Sequence, residues 1–373
     1  MNVWVWGAGS SAFGKQPAES TASLVRLAVL EALRDAEVDQ VDAVYVGTCF
    51  GEPGVAQRTL HRLGIAGLPI TVLENACASS THAFHEACAA LEAGRHRQVL
   101  VVGVEHLTSR FTGALPVERR DHEGRAGLGL PALYAMSAAH YQDLFGLTDA
   151  ELAAVSVKNH AHGVHNDRAQ HRRAVTAEEV LASRMIADPL TLLQCCAISD
   201  GAAAVVVGDR RRGARDVPVL ATAFGTGAAW GHDSPRVWGF DLVAQTAARA
   251  YQAAGVGIGD VDVLEVHDAF TIGEIVTLEA LGMAPEGAGG RLALDGHTVL
   301  GGPQPVNPSG GLLSRGHPLG ATGVAQIFEI VRQLRGQAGP RQVAGARIGL
   351  VETMGGGAGG VDGNACVVCL LGA

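Results

Sequence analysis

A chain of 373 residues, 47% hydrophobic and 17% charged, has ample apolar material and is too long for one simple core, so two units or one duplicated α/β unit is expected. The formal net charge of −9, with no basic run beyond Arg210–Arg212, argues against a chain that tracks a phosphate backbone. No apolar run approaches the roughly 20 residues of a membrane helix and no basic-then-apolar leader opens the chain, so a soluble, cytoplasmic protein is expected, its seven cysteines as free thiols.

In chain order, Val3 to Trp6 reads as a buried strand, Thr21 to Ala36 as a helix, and Ala43 to Gly47 as a second strand. A loop, Leu73 to Ala76, then meets Cys77 and opens into a helix, Ser80 to Ala93, followed by a strand at Val99 to Val104. An inserted, mostly helical stretch of about 106–199 comes next, with helical patterns at Tyr134 to Leu144, Asp149 to His162 and Thr176 to Ser183. Insertions at strand ends commonly build binding surfaces. The strand Ala202 to Val207 closes this half. The second half repeats the order: strands at Val219 to Ala223, Val261 to Val266, Ile348 to Glu352 and Cys366 to Leu371, with helices at Leu242 to Ala254 and Gly320 to Leu334. Strands alternating with helices predict helix-covered parallel sheets. The matching order predicts a duplicated βαβαβ unit, with halves at 1–218 and 219–373.

Three segments carry candidate chemistry. Cys77, in Asn75-Ala76-Cys77-Ala78-Ser79-Ser80, stands where an extended segment turns into a helix, and unpaired N–H groups with the helix dipole favour the thiolate there. Taken alone, it is as easily a buried structural cysteine. His317, in Gly316-His317-Pro318-Leu319-Gly320, occupies the equivalent helix start of the other half, and a pseudo-twofold axis would bring the two together as nucleophile and base. His267, in Val266-His267-Asp268-Ala269-Phe270, follows a strand, where ligands collect in α/β sheets. Each histidine singly is an ordinary loop residue; three such elements at corresponding ends of duplicated units are not.

Weaker signals are set aside. Gly7-x-Gly9 with Gly14 departs from a dinucleotide loop. His160, His162, His165 and His171 lack a cysteine or carboxylate at a familiar metal spacing and read as a solvated loop, so no metal is expected. Cys366-x-x-Cys369 sends its thiols to opposite faces of a strand. Cys195-Cys196, Tyr134 and Tyr141 read as packing, with Cys195 and Cys196 kept open as substitutes for an acid/base group.

These segments, with Lys158-Asn159-His160, Ile186-Ala187-Asp188-Pro189-Leu190, Ser199-Asp200-Gly201-Ala202 and Asn307-Pro308-Ser309-Gly310-Gly311, resemble the thiolase superfamily, in particular its sterol-carrier-protein-2-type branch, over essentially the whole chain. The resemblance implies a five-layer α/β/α/β/α fold, a homodimer or homotetramer, and coenzyme A thioesters as substrates with no bound cofactor. It implies Cys77 as the acylated nucleophile, His317 as its activator, and His267 holding the thioester oxygen. The backbone N–H groups of Cys77 and Gly355 would form a second oxyanion hole. It also implies a possible small zinc-ribbon/OB-fold partner. One departure stands out: the family's second, acid/base cysteine is missing from both of its places, which read Ala269 and Thr353. Acyl transfer from or to a 3-oxoacyl-CoA is therefore expected, with a retro-aldol lyase acting on a β-hydroxyacyl-CoA, or a non-catalytic CoA-ester-binding subunit, as alternatives.

Overall fold

The computed structural model describes residues 2–373. Strands β1 (Val3–Ser10), β2 (Ala43–Gly47), β3 (Ile70–Leu73) and β4 (Gln98–His106) alternate with helices α1 (Thr21–Ala36), α2 (Val55–His61) and α3 (Ser79–Glu92). Helices α4 (His122–Arg125), α5 (Leu130–Phe145), α6 (Asp149–Gly163) and α7 (Ala177–Ala182) and a two-stranded ribbon, β5 (Met185–Ala187) and β6 (Leu190–Thr191), fill the insertion before β7 (Asp200–Gly208). Then come β8 (Val217–Gly225), α8 (Phe240–Ala254), β9 (Val263–Glu265), α9 (Thr271–Ala280), α10 (Gly289–Leu294), α11 (Gly311–Arg315), α12 (Leu319–Leu334), β10 (Ile348–Gly355) and β11 (Ala365–Gly372).

Local chemistry explains the best-defined element. Ser20 caps α1 by accepting from the N–H of Ser23, Glu37 ends it in a left-handed conformation (φ 52°), and Leu24, Val25, Ala28, Val29, Ala32 and Ala36 fall on one buried face.

Nine strands form one sheet in the order β3-β2-β4-β7-β1-β8-β11-β10-β9. Outward from the centre the first half runs β1, β7, β4, β2, β3, and the second runs β8, β11, β10, β9. The counterpart of β3 is reduced to one parallel bridge between Leu264 and Val306. The duplication is therefore a property of the topology. Only β2 with β3 and β4, and β10 with β9, pair in parallel; the remaining contacts are antiparallel. This corrects the expectation of parallel sheets. The segment between β10 and β11 is too short for a crossover helix, which needs about a dozen residues, so it closes a hairpin.

Helices α3 and α12 pack on each other and against the inner faces of both sheet halves, α1 covers the outer face of the first half, and α8 that of the second. Layers thus run helix, sheet, helix, sheet, helix. The inner core joins Phe84, Val101, Val205, Val324, Ile327 and Val367. The insertion crosses over: Tyr134, Tyr141, Leu152 and Leu190 share a core with Phe270, Ile275, Leu312 and Leu313 of the second half. No helix among the described residues is long and apolar enough to cross a membrane.

Candidate active site

The turn ahead of α3 is tight. Asn75 O accepts from the N–H of Ala78 (3.0 Å) and Ala76 O from that of Ser79 (3.2 Å), while the Ser79 hydroxyl donates to Ala76 O (2.6 Å) and accepts from the N–H of Asn75 (3.0 Å). Ala76 pays for this with a left-handed backbone (φ 49°), a strained conformation of the kind that gathers at functional positions. Gly355, at the end of β10, lies so close to the turn that a Cβ there would stand 2.2 Å from Asn75 O; only glycine fits.

On the opposite side Gly316 (φ 109°) opens the turn into α12. It sets His317 Nε2 3.2 Å from Cys77 Sγ. The other ring nitrogen, Nδ1, is 2.7 Å from the Thr322 hydroxyl, which itself donates to Pro318 O at 3.1 Å. With its proton given to Pro318, Thr322 accepts from Nδ1–H, and the Nε2 lone pair is left facing the thiol.

Burial decides the protonation states. It pushes the Cys77 thiol up to about 12, against a smaller opposing effect of the Gly356 N–H. It holds His317 well below the usual imidazole range, helped by His267 and Arg315, and brings His267 down to about 3. The sequence predicts a stabilised thiolate at this helix start; burial works against it, outweighing the Gly356 and Cys77 N–H groups that favour the thiolate. The resting pair is a neutral thiol beside a neutral imidazole.

His267 completes the centre. Its Nε2 is buried with no hydrogen-bond partner. Ligating atoms of Cys77, His267 and His317 lie within 4.8 Å of one another, the one such group among the described residues able to hold a metal ion by distance. Two buried networks fix the histidine turns. Asp268 accepts from the N–H of Leu312 (2.7 Å) and from Asn159 Nδ2 (2.7 Å). The same Asn159 amide reaches Glu274 (2.8 Å), which pairs with Lys158 (2.7 Å). Glu265 accepts from the Ser309 N–H and hydroxyl (3.0 and 2.7 Å) and pairs with Arg315 at 3.1 Å, two residues before His317. The Lys158-Asn159 and Asn307–Gly311 motifs thus hold the site without touching its centre.

A thiolase N-terminal domain model matches residues 3–211, and a thiolase C-terminal domain-like model matches 230–362. The chain belongs to the thiolase family. This thiolase is 41% identical to an acetyl-CoA acetyltransferase of Methanothermobacter thermautotrophicus, over 95% of this chain and 96% of that protein. It is 36% identical to the benzoylsuccinyl-CoA thiolase subunit BbsB of Thauera aromatica, over 95% of each. Among solved structures the Ltp2-ChsH2(DUF35) aldolase aligns with a TM-score of 0.86 at 26% identity, covering 100% of this chain and 98% of that one. The chain is an acyltransferase of the thiolase type.

In this thiolase the two places lacking a second cysteine are filled by packing. The Thr353 hydroxyl donates to Gln326 Oε1 at 2.6 Å, and the carbonyl of Ala269 accepts from the N–H of Cys196 at 2.8 Å. Gly355 lies beside the Cys77 turn, while the N–H that reaches the Cys77 sulfur belongs to Gly356. His160 and His162 are buried on α6 and do not belong to a solvated loop; His162 bridges Asn307 O (3.0 Å) and the Leu300 N–H (2.9 Å). Cys366 and Cys369 face opposite cores, as the alternation predicts. Tyr141 donates to Glu279. Tyr134 stacks on Phe270 and meets the edge of Trp238. With Trp238, His267, Ile272, Val276 and Met354 it lines a small, partly open pocket.

Sequence reasoning missed Thr322 and three buried acids, Glu105, Glu265 and Glu352. Burial pushes Glu105 and Glu352 up to about 7. Glu105 gathers the N–H groups of Cys49, Phe50 and Gly320 (2.8, 3.0 and 3.1 Å), and Glu352 accepts from the His267 N–H at 3.0 Å. A signal was present: each acid interrupts an otherwise apolar strand at or near its carboxyl end (Val104-Glu105, Leu264-Glu265, Val351-Glu352).

Proposed function

We propose that this thiolase forms an acyl-enzyme on Cys77 from a 3-oxoacyl-CoA, or runs the same step in reverse. As the Cys77 sulfur attacks the 3-oxo carbonyl, His317 Nε2 takes the thiol proton. The C–C bond breaks, its electron pair passes to the α-carbon, and the thioester oxygen of the departing enolate is held by His267 Nε2. The backbone N–H groups of Cys77 and Gly355 hold the oxygen of the acyl group. Coenzyme A then takes the acyl group from sulfur. The observation that carries this reading is the 3.2 Å contact between a thiol and a tautomer-fixed imidazole, beside a buried ring nitrogen with no partner of its own.

The remaining parts of the proposal are coenzyme A thioesters as substrates, functional halves at 1–218 and 219–373, a homodimer or homotetramer, a cytoplasmic location and a small zinc-ribbon/OB-fold partner. The partner is supported by the likeness to the Ltp2-ChsH2(DUF35) assembly. The test is incubation with acetoacetyl-CoA, acid quench and peptide mass spectrometry. A gain of one acetyl group on the Cys77 peptide is expected. Cleavage of a β-hydroxyacyl-CoA with no covalent adduct would replace this reading by the retro-aldol one.

A further inference from the structure

The acyl transfer just described needs a proton at the α-carbon, and neither Ala269 nor Thr353 can supply it. The segment Cys195–Ile198 lies across the site and is clamped to both histidine turns. Cys195 bridges Phe270, the Cys196 N–H donates to Ala269 O at 2.8 Å, and Ile198 bridges His317. Within an extended segment neighbouring side chains point opposite ways. Cys195 is turned back, its thiol donating to Thr191 O at 3.2 Å, so Cys196 takes the other side. It belongs to the apolar cluster that includes Tyr134, Ala269 and Phe270, and Cys77 and Tyr134 are among the ionisable groups near its thiol. His267, 3% exposed with Nε2 unpartnered, stands two residues before Ala269, whose carbonyl holds the Cys196 N–H.

We infer that Cys196 is the acid/base residue of this enzyme, its thiol taking the place left empty at position 269. The inference rests on the thiolase reading above. In cleavage, the electron pair left on the α-carbon takes the Cys196 S–H proton as the C–C bond breaks and the acyl group bonds to Cys77. The Cys196 thiolate then accepts the proton of the incoming coenzyme A thiol, whose sulfur attacks the acyl-cysteine. Cys77 leaves as thiolate and recovers its proton from His317. Burial, with Cys77 as the foremost of its ionisable neighbours, holds the Cys196 thiol well above the usual range, so it rests protonated, as a general acid must. Cys49 is the other half-buried thiol near Cys77. Its N–H is held by Glu105 at 2.8 Å, whereas the Cys196 N–H is held by the histidine turn itself, at Ala269 O.

The test uses the full chain and two readouts: acetyl transfer onto Cys77, followed by mass, and exchange of the acetyl-CoA methyl protons for deuterium. Cys196→Ala is expected to lower thiolysis of acetoacetyl-CoA and deuterium exchange by about a hundredfold or more, while transfer of acetyl from acetyl-CoA to Cys77 continues. The double variant Cys196→Ala/Ala269→Cys is expected to regain part of both, which a merely structural role for Cys196 would not produce. Cys195→Ala and Cys49→Ala are expected to keep near-normal exchange. Unchanged thiolysis and exchange in Cys196→Ala, or a loss seen in Cys49→Ala instead, would overturn the assignment. A wild-type enzyme that never carries acyl on Cys77 would overturn the underlying reading instead, so the two failures are distinct.

Discussion

The two halves present the same structural place, the start of a central helix, to one reaction, and they prepare it differently. The first half offers Cys77 from a turn held by its own neighbours, Asn75, Ala76 and Ser79, and α3 buries nine of its 14 residues. The second half offers His317 ahead of α12, which buries 14 of 16, and backs it with the ion pair Glu265–Arg315 and the network around Asp268. Duplication supplies matched positions; the buried charge on one side supplies orientation. A base must present one nitrogen in one tautomer, whereas a thiol needs only to be in reach.

The strongest way to break this comparison is to remove each partner. Cys77→Ala and His317→Ala should each cost about four orders of magnitude in turnover, and the double variant little more than either, since the pair acts as one unit. Additive losses in steady-state kinetics would show two independent groups. Next in size, His267→Ala should lower turnover by about two to three orders of magnitude with the fold kept, read by kcat alongside circular dichroism; near-normal turnover would mean that another group holds the oxygen.

The third prediction asks whether the second half is the dearer one to build. Arg315→Met strands Glu265 in the interior and should cost about 3 kcal/mol in urea unfolding, with Glu265→Gln/Arg315→Met recovering part of it. Loss of the Thr322 hydroxyl is smaller: Thr322→Val frees the tautomer and should slow acylation about tenfold, the worth of roughly one hydrogen bond, with KM unchanged.

The smallest effect concerns charge at rest. A thiol pushed up to about 12 lies far above neutral pH. Its thiolate fraction, and with it iodoacetamide labelling of Cys77, should therefore climb about tenfold per pH unit from 6 to 9 without levelling. A plateau below pH 8 would restore the stabilised thiolate expected from the helix start alone.

Legibility followed the range of the interactions. Helix α1 and strand β2 were readable to the residue, because a serine cap, one apolar face and a short β-branched run are local signals. Helix α9 was not: it is buried on all sides, with Glu274 and Glu279 inside, so no polar stripe marks its period. Strand β3, a half-exposed edge of four residues, left too little pattern. Cys77, His267 and His317 were legible from glycine-rich turns and strand ends. Thr322 is five positions from His317, but the hydrogen bonds of the networks behind the histidine turns join residues 44 to 115 positions apart, and no local pattern announces that Arg315 will meet Glu265 or that Asn159 will meet Asp268.

The interleaving of α3 and α12 also governs how the molecule can come into being. β1 and β8 join the halves through only three paired residues, yet α12 completes the interior face of strands made some two hundred residues earlier. During synthesis the first half must wait with that apolar face uncovered until residue 334 has emerged. Contacts so distant along the chain slow folding and leave the intermediate prone to aggregation. The two reactive side chains meet only when this last helix docks, so the nascent enzyme is chemically silent until its assembly is finished.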